Sequence, residues 1–296
     1  REAETCFFLG DWHHHRASIN IATMNASLTD LKKLNDAFEK VYFITGNHDL
    51  YYRDKRDIHS VEWAKHLKNV VVVDHFVEEG DCVIAPWLCG DDYKLLKQKK
   101  GKYLFAHLEL PHFYMNAMIE MPDHGEANTD HLGHFDKVFT GHFHKRQARK
   151  NVWYMGNAFP HNYADAGDDA RGMMVLEWDE EPVFHSWPDQ PVYRVYKLSE
   201  VLENPKGLLI KNAHVRVHLD IDISYEESNY IREQLIPEYG LREMSLLPVK
   251  NEEHSQDLAP GEISFESVDN IIIDQIKNIE SEFYDKSILL GIYQSI

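Results

Sequence analysis

Residues 137–144 read Lys-Val-Phe-Thr-Gly-His-Phe-His, a short apolar run that ends in two histidines. The same pattern, a β-like stretch followed by polar side chains, occurs three more times earlier in the chain. The predicted strands are Cys6–Leu9, Val41–Thr45, Lys102–Ala106 and Lys137–Thr140. The first three are followed or ended by Gly10-Asp11, Gly46-Asn47-His48-Asp49 and His107. Because strand ends carry the active sites of α/β sheets, this order predicts an α/β fold with one shared site.

The side chains at these strand ends are typical metal ligands. Carboxylate, amide oxygen and imidazole together suit Mn²⁺, Fe or Zn²⁺ better than Ca²⁺. Asp11 has two oxygens and could therefore bridge two cations. A pair of metals about 3.5–4 Å apart is a device for cleaving phosphoesters. The sequence thus predicts metal-dependent phosphoester hydrolysis.

These motifs, together with Gly141-His142-Phe143-His144, resemble those of the calcineurin-like metallophosphoesterases. Within that group the chain is most similar to the SbcD-type DNA-repair nucleases, including the small subunits of bacteriophage recombination endonucleases. The similarity also includes Arg16-Ala17-Ser18-Ile19, Leu50-Tyr51-Tyr52, Pro86-Trp87-Leu88-Cys89, His107-Leu108-Glu109-Leu110, Phe113-Tyr114, His124-Gly125, Tyr154-Met155-Gly156-Asn157 and Asp169-Ala170-Arg171-Gly172. It is strong from about Phe7 to about Glu180 and weaker beyond. It implies a two-sheet sandwich flanked by helices.

The resemblance also implies a role for each site residue. It implies two divalent metal ions, with Mn²⁺ as the expected metal. Their implied ligands are Asp11, Asn47, His107, His142 and His144. Asp11 would bridge the ions, and His144 would face the first of them.

The implied catalytic residues are His48, His14 and Asp49. His48 would point at the scissile phosphate, and His14 would be a second active-site histidine. Asp49 would hold the His48 imidazole, cap the loop, or do both. The neighbouring His13 and His15 are expected on the loop surface. His161 is expected to be an ordinary polar or surface residue.

One family motif has no clear counterpart. The family opens with Asp-x-His, and Asp11-Trp12-His13 has that spelling. The interval from Asp11 to Gly46 holds one helix and one strand, which is the family's spacing between its second and third motifs. We therefore assign Asp11 to the second motif. The first strand, helix and metal motif are expected to be missing, which leaves the first metal site incomplete.

Composition limits the possible partners. The net charge of −18 over 296 residues argues against a protein that simply coats DNA. Basic residues are concentrated at Lys97–Lys102 and Lys145–Lys150. The second run follows the His142 and His144 pair and is either a DNA contact or solvated surface. No apolar run approaches about 20 residues, so no membrane span is predicted.

The cysteines and the segment pattern suggest a compartment and a domain order. Three cysteines without a C-x-x-C pair fit a reducing cytoplasm, which is the host cytoplasm if the protein is phage-encoded.

A helix is predicted from Ser27 to Glu39, with Ser27 as its cap. The predicted domains are a metallophosphoesterase domain (1–188), a small α+β capping module that selects DNA (189–250), and an acidic linker with C-terminal helices (251–296).

The predicted function is a metal-dependent DNA nuclease subunit in end processing, recombination and repair. The resemblance implies DNA as substrate, an ATPase partner of the SMC or SbcC type bound by helices within 264–296, and a homodimer of the nuclease subunit. Two alternatives stay open. One is a phosphoesterase acting on nucleotides or phosphoproteins, and the other is a non-catalytic structural subunit of the ATPase complex.

Overall fold

The computed structural model describes residues 3–115, 119–123 and 128–248, together with Ile276, Lys286, Leu289 and Leu290. The chain divides into two compact units, residues 1–248 and 249–296. In the second unit the four described residues are helical. The rest of the predicted C-terminal helices, and the His124-Gly125 pair, lie outside the described residues.

The first unit alternates strands and helices along most of its length. The strands are β1 (Thr5–Phe8), β2 (Lys40–Ile44), β3 (Val70–Val73), β4 (Val77–Glu79), β5 (Cys82–Ile84), β6 (Tyr103–His107), β7 (Lys137–Gly141), β8 (Gln147–Arg149), β9 (Val152–Tyr154), β10 (Gly172–Val175), β11 (Val183–Ser186), β12 (Val192–Lys197), β13 (Ala213–Leu219) and β14 (Glu243–Pro248). The α-helices are α1 (Ile21–Ala37), α2 (Asp92–Leu96), α3 (Leu198–Glu203), α4 (Pro205–Leu208) and α5 (Tyr225–Tyr239). Short 3₁₀ helices span Glu62–His66, Thr129–Leu132 and Tyr163–Asp165.

Two sheets form the body of the fold. The first has the order β1-β2-β3 and is parallel throughout. The second has the order β4-β5-β6-β7-β9-β8, with antiparallel strands β4 and β8 at its edges. One apolar cluster contains side chains of both sheets, and the rings of Phe7 and Phe105 stack across it with centroids 3.7 Å apart. The predicted two-sheet α/β sandwich is therefore confirmed.

Each sheet is also covered on its outer face. Leu31 of α1 and Ala64 of the Glu62–His66 helix pack on the first sheet with Val41 and Phe43. Leu96 of α2 belongs to the cluster on the outer face of the second sheet. Because their strands are buried on both faces, parallel sheets of this kind read as continuous apolar runs.

A third sheet lies near the end of the first unit. Its order is β12-β13-β14, all parallel, with α3 and α4 between the first two strands and α5 between the last two. It has its own apolar cluster, which includes Val201, Val215 and Met244. Helix α5 begins with a capping box of Ser224 and Glu227. The division into domains 1–188 and 189–250 stays a prediction.

The start of α1 differs from the prediction. Asn20 caps the helix, because its side chain accepts a hydrogen bond from the Ala22 backbone N–H. Ser27 lies inside the helix, is buried, and bonds the His13 ring at 2.9 Å. The Ser27 cap was therefore wrong. Among the described residues, no helix is both long and apolar enough to cross a bilayer.

Candidate metal centre at the strand ends

Four of the predicted ligands meet where four strands end. Asp11 follows β1, Asn47 follows β2, His107 ends β6 and His142 follows β7. One ligand atom from each of Asp11, His107 and His142 lies within 4.8 Å of the others. Asn47 Oδ1 lies 3.1 Å from both His107 Nε2 and His142 Nδ1. The structure thus brings Asp11, Asn47, His107 and His142 together.

Glycines allow the strand-end loops to approach this closely. A methyl group on Gly46 would lie 2.2 Å from Asp11 Oδ1, and one on Gly141 would lie 2.3 Å from the Leu9 carbonyl oxygen. Two of the ligands have left-handed backbones, with φ of 60° at Asp11 and 89° at His142. Non-glycine residues rarely adopt this conformation, and it clusters at functional sites. The local backbone is therefore shaped to aim these side chains.

The His107 ring is oriented by the backbone. His107 Nδ1 lies 2.6 Å from the Leu9 carbonyl oxygen, which can only accept, so Nδ1 carries the proton. In the neutral ring, Nε2 then offers a lone pair. That lone pair faces two more acceptors, Asn47 Oδ1 at 3.1 Å and Asp11 Oδ2 at 3.3 Å. Acceptors that converge in this way require a cation or an additional proton between them.

The His142 ring is oriented by a carboxylate. Its Nε2 lies 3.0 Å from Glu109 Oε2, which places the proton on Nε2 and the lone pair on Nδ1. Nδ1 in turn faces Asn47 Oδ1. A metal-bound imidazole usually donates the N–H of its other ring nitrogen to a carboxylate. The donor set therefore fits one divalent ion held by Asp11, Asn47, His107 and His142.

Asp11 remains ionised in this setting. Burial alone would raise its pKa, but the His107 imidazole and the His48 backbone N–H outweigh burial and bring the pKa to about 2. The pKa of His107 moves upward, since Asp11 outweighs the opposing effect of burial. A proton and a metal ion thus compete for the same His107 lone pair.

Asp49 bonds to backbone groups of the two strand-end loops. Its carboxylate is fully buried and accepts backbone N–H groups of Asp11 (2.8 Å), Gly46 (2.9 Å) and His13 (3.1 Å). Burial raises its pKa to about 6. Asp49 therefore ties the β1 loop to the β2 loop, which is the loop-capping role that the sequence left open, and its part in holding the His48 ring stays a prediction.

The predicted catalytic histidines do lie side by side. The His14 and His48 rings stack with centroids 5.1 Å apart, and His48 Nδ1 lies 2.9 Å from the His14 carbonyl oxygen. That carbonyl orients the His48 ring. With Nδ1 committed, acid–base chemistry would use Nε2.

His13 lies apart from this pair. It was expected on the surface, but it is buried, with its ring nitrogens 2.8 and 2.9 Å from the hydroxyls of Ser60 and Ser27. Both ring nitrogens of His13 are therefore committed to protein partners.

His144 lies outside the group whose ligand atoms are within 4.8 Å of one another among the described residues. It is exposed, and its ring lies 6.1 Å from that of His161. The His161 backbone N–H donates to Asp165, whose other oxygen pairs with Arg171 at 2.9 Å. Its role as a ligand of a first metal stays a prediction.

Two residues of the site were not singled out from the sequence. Glu109 lies two residues beyond His107, within a matched segment, but nothing in the sequence linked it to His142. Trp87 places its ring 5.9 Å from His107 and 5.1 Å from His142, and so forms an apolar wall beside both ligands. Both contacts depend on pairings between distant strands.

The fold and this centre together define an α/β protein with a candidate divalent-metal site at its strand ends. No protein-family model matches the chain. The chain is 30% identical over 181 residues to exonuclease subunit 1 of Enterobacteria phage T4. The match covers 58% of this chain and 52% of that protein, so the chain spans about half the length of the curated relative. The comparison supports a nuclease-related family.

Proposed function

We propose that this chain is the nuclease subunit of a metal-dependent, DNA-processing complex. The observation that carries the proposal is the convergence of Asp11, Asn47, His107 and His142, with two imidazole lone pairs aimed at acceptor oxygens. The likeness to a phage exonuclease subunit supports a nuclease reaction, and we propose DNA as its substrate.

The side chains have separate tasks in this proposal. A divalent ion, Mn²⁺ above all, would lower the pKa of a bound water and neutralise phosphate charge. Asp11 offers it a carboxylate, while His107 and His142 are held in the required tautomers by Leu9 and Glu109. His48, beside Asn47, would donate a proton to the leaving oxygen from Nε2.

A second ion is also part of the proposal, and its ligands would include the Asp11 carboxylate and the His144 ring. Its shell needs further donors, since Asp11 Oδ1 already accepts the His48 backbone N–H at 2.8 Å. The arrangement of side chains therefore supports one ion most strongly.

The proposal also includes partners and a DNA contact. The relative is called a subunit, which supports a partner protein, and we propose an ATPase of the SMC type and a homodimer of this chain. In the run Lys145–Lys150, Arg146 stacks on the Phe184 ring at 3.6 Å and Lys145 lies 4.8 Å over the Tyr114 ring. Stacked cations of this kind are preorganised for phosphate, and we propose that this run contacts the DNA backbone.

The test is hydrolysis by the full chain, supplied with Mn²⁺ or EDTA, on linear duplex DNA and on bis-p-nitrophenyl phosphate. We expect Mn²⁺-dependent cleavage of DNA that His142→Ala removes and that His134→Ala, an exposed histidine bonded to the Lys99 carbonyl, retains. Cleavage of the small ester without DNA cleavage would favour a different phosphoesterase. No cleavage of either compound, even with the partner added, would favour a structural subunit.

A further inference from the structure

A second group of potential metal-ligating side chains lies away from the strand-end centre. His59 Nε2 is 2.8 Å from Glu62 Oε2 and 3.4 Å from Asp74 Oδ2. The three residues come from separate elements: the loop before the Glu62–His66 helix, that helix, and the end of β3. They line an open cleft of about 590 Å³, which gives an ion from solvent access to them.

His59 is the unusual member of this group. Its side chain is only 2% exposed, yet neither ring nitrogen has a hydrogen-bond partner among the described residues. Glu62 and Asp74 lie within ion-pair distance of Nε2, but neither contact has hydrogen-bond geometry. A buried, unsatisfied polar group is costly, and in a native protein it points to a missing ion or water.

The distances are also compatible with a ligand shell. Zn²⁺ binds imidazole nitrogen and carboxylate oxygen at roughly 2.0–2.2 Å in tetrahedral geometry. Two such ligands are then separated by about 3.3 Å, from the tetrahedral angle. The separations of 2.8 and 3.4 Å bracket that value.

We propose that His59, Glu62 and Asp74 form a second, independent cation site for a Zn²⁺-class ion. One imidazole and two carboxylates suit a borderline transition ion rather than Ca²⁺. The other oxygen of Asp74 lies 2.6 Å from His75, which fixes the carboxylate from behind.

Lys65 occupies part of this position as a competing cation. Its ammonium lies 2.9 Å from Glu62 and 2.7 Å from Asp74. It is 41% exposed on a flexible stem, so it can swing away when a metal ion binds. The carboxylates thus already hold a positive charge where the ion would sit.

The site would stabilise the loop that carries the strand-end ligands. The backbones of His59 and Leu50 form an isolated antiparallel β-bridge. The Ser60 backbone N–H donates to the Asp49 backbone carbonyl at 2.8 Å. The Ser60 hydroxyl also bonds the buried His13 ring. An ion at His59 would therefore anchor the segment that follows Asn47 without touching the strand-end centre.

The test is Zn²⁺ binding to the full chain, measured by equilibrium dialysis with elemental analysis. We expect wild type to bind one more tight equivalent than His59→Gln. His142→Ala should lose a different equivalent, so that the double variant His59→Gln/His142→Ala loses both. Equal stoichiometry in wild type and His59→Gln would overturn the proposal.

Lys65→Met tests the same site without removing a ligand. Removing the competing ammonium should tighten Zn²⁺ binding by up to about tenfold, the range expected for two exposed ion pairs. Lys33→Met is the matched control, since Lys33 pairs with Asp30 at 2.9 Å with the same i, i+3 spacing, and it should leave affinity unchanged. Unchanged or weaker binding in Lys65→Met would contradict the proposal even if His59→Gln failed to fold.

Discussion

Gly46→Ala is expected to disable the strand-end centre without replacing any of the ligand residues. The new methyl group would lie 2.2 Å from Asp11 Oδ1 and 2.5 Å from the Asp11 backbone nitrogen. Ordinary contact begins near 3.4 Å, so Asp11 must retreat by about 1.2 Å (3.4 − 2.2). Metal sites tolerate displacements of only about 0.2 Å. A 1 Å misplacement at a reacting centre can cost roughly 10²-fold in rate.

Two measurements separate this effect from general damage. Overpacking should lower the free energy of unfolding by about 1–3 kcal/mol, which denaturant titration measures. Mn²⁺ affinity and DNA cleavage should fall together, by about 10²-fold for cleavage. Gly133→Ala is the control, because its methyl group would meet only the Asp130 carbonyl oxygen at 3.5 Å. A Gly46→Ala protein with wild-type Mn²⁺ affinity and turnover would refute the assigned geometry of Asp11.

Three further variants test neighbouring parts of the structure. His48→Ala should retain bound Mn²⁺ but cleave DNA roughly 10²–10⁴-fold more slowly, and an equal loss of metal would contradict its role as an acid. Glu109→Gln should weaken Mn²⁺ binding by about 10–100-fold in a metal titration, since it removes the carboxylate behind His142; unchanged affinity would exclude that role. Arg171→Met leaves the buried Asp165 carboxylate, 3% exposed, unpaired and should cost about 3–5 kcal/mol of unfolding free energy. Lys33→Met, which removes an exposed pair, should cost at most about 1 kcal/mol in the same denaturant titration, and similar losses in both would refute the argument.

The sequence predicted the sandwich because each strand is an apolar run that is followed by polar residues. The runs at Val41 and Val70 are buried on both faces, and their lengths leave little freedom for another assignment. The residues at strand ends follow from that reading, because parallel strands bring their carboxyl ends to one edge. This is why Asn47 and His107 could be placed near each other despite their distance along the chain.

The supporting contacts could not be predicted in the same way. His13 and Ser27 meet across a loop and a helix, and no local pattern distinguishes a buried loop histidine from an exposed one. The role of Asp49 depended on three backbone N–H groups, whose directions are set by turns rather than by residue type. Glu109 reaches His142 only because β6 and β7 are adjacent and in register.

These supporting contacts would allow an acidic chain to receive the anionic substrate that we propose. Asp11, Asp49 and Glu109 concentrate negative charge at the strand ends, in a chain whose formal net charge is −18. Without a cation, that charge would repel a phosphodiester. Each carboxylate is already committed to a histidine ring or to backbone N–H groups, so it orients a ligand or a loop rather than facing solvent. A divalent ion at the converging lone pairs would reverse the local field. The metal would then supply both the reactive water and the positive charge that the protein surface as a whole lacks.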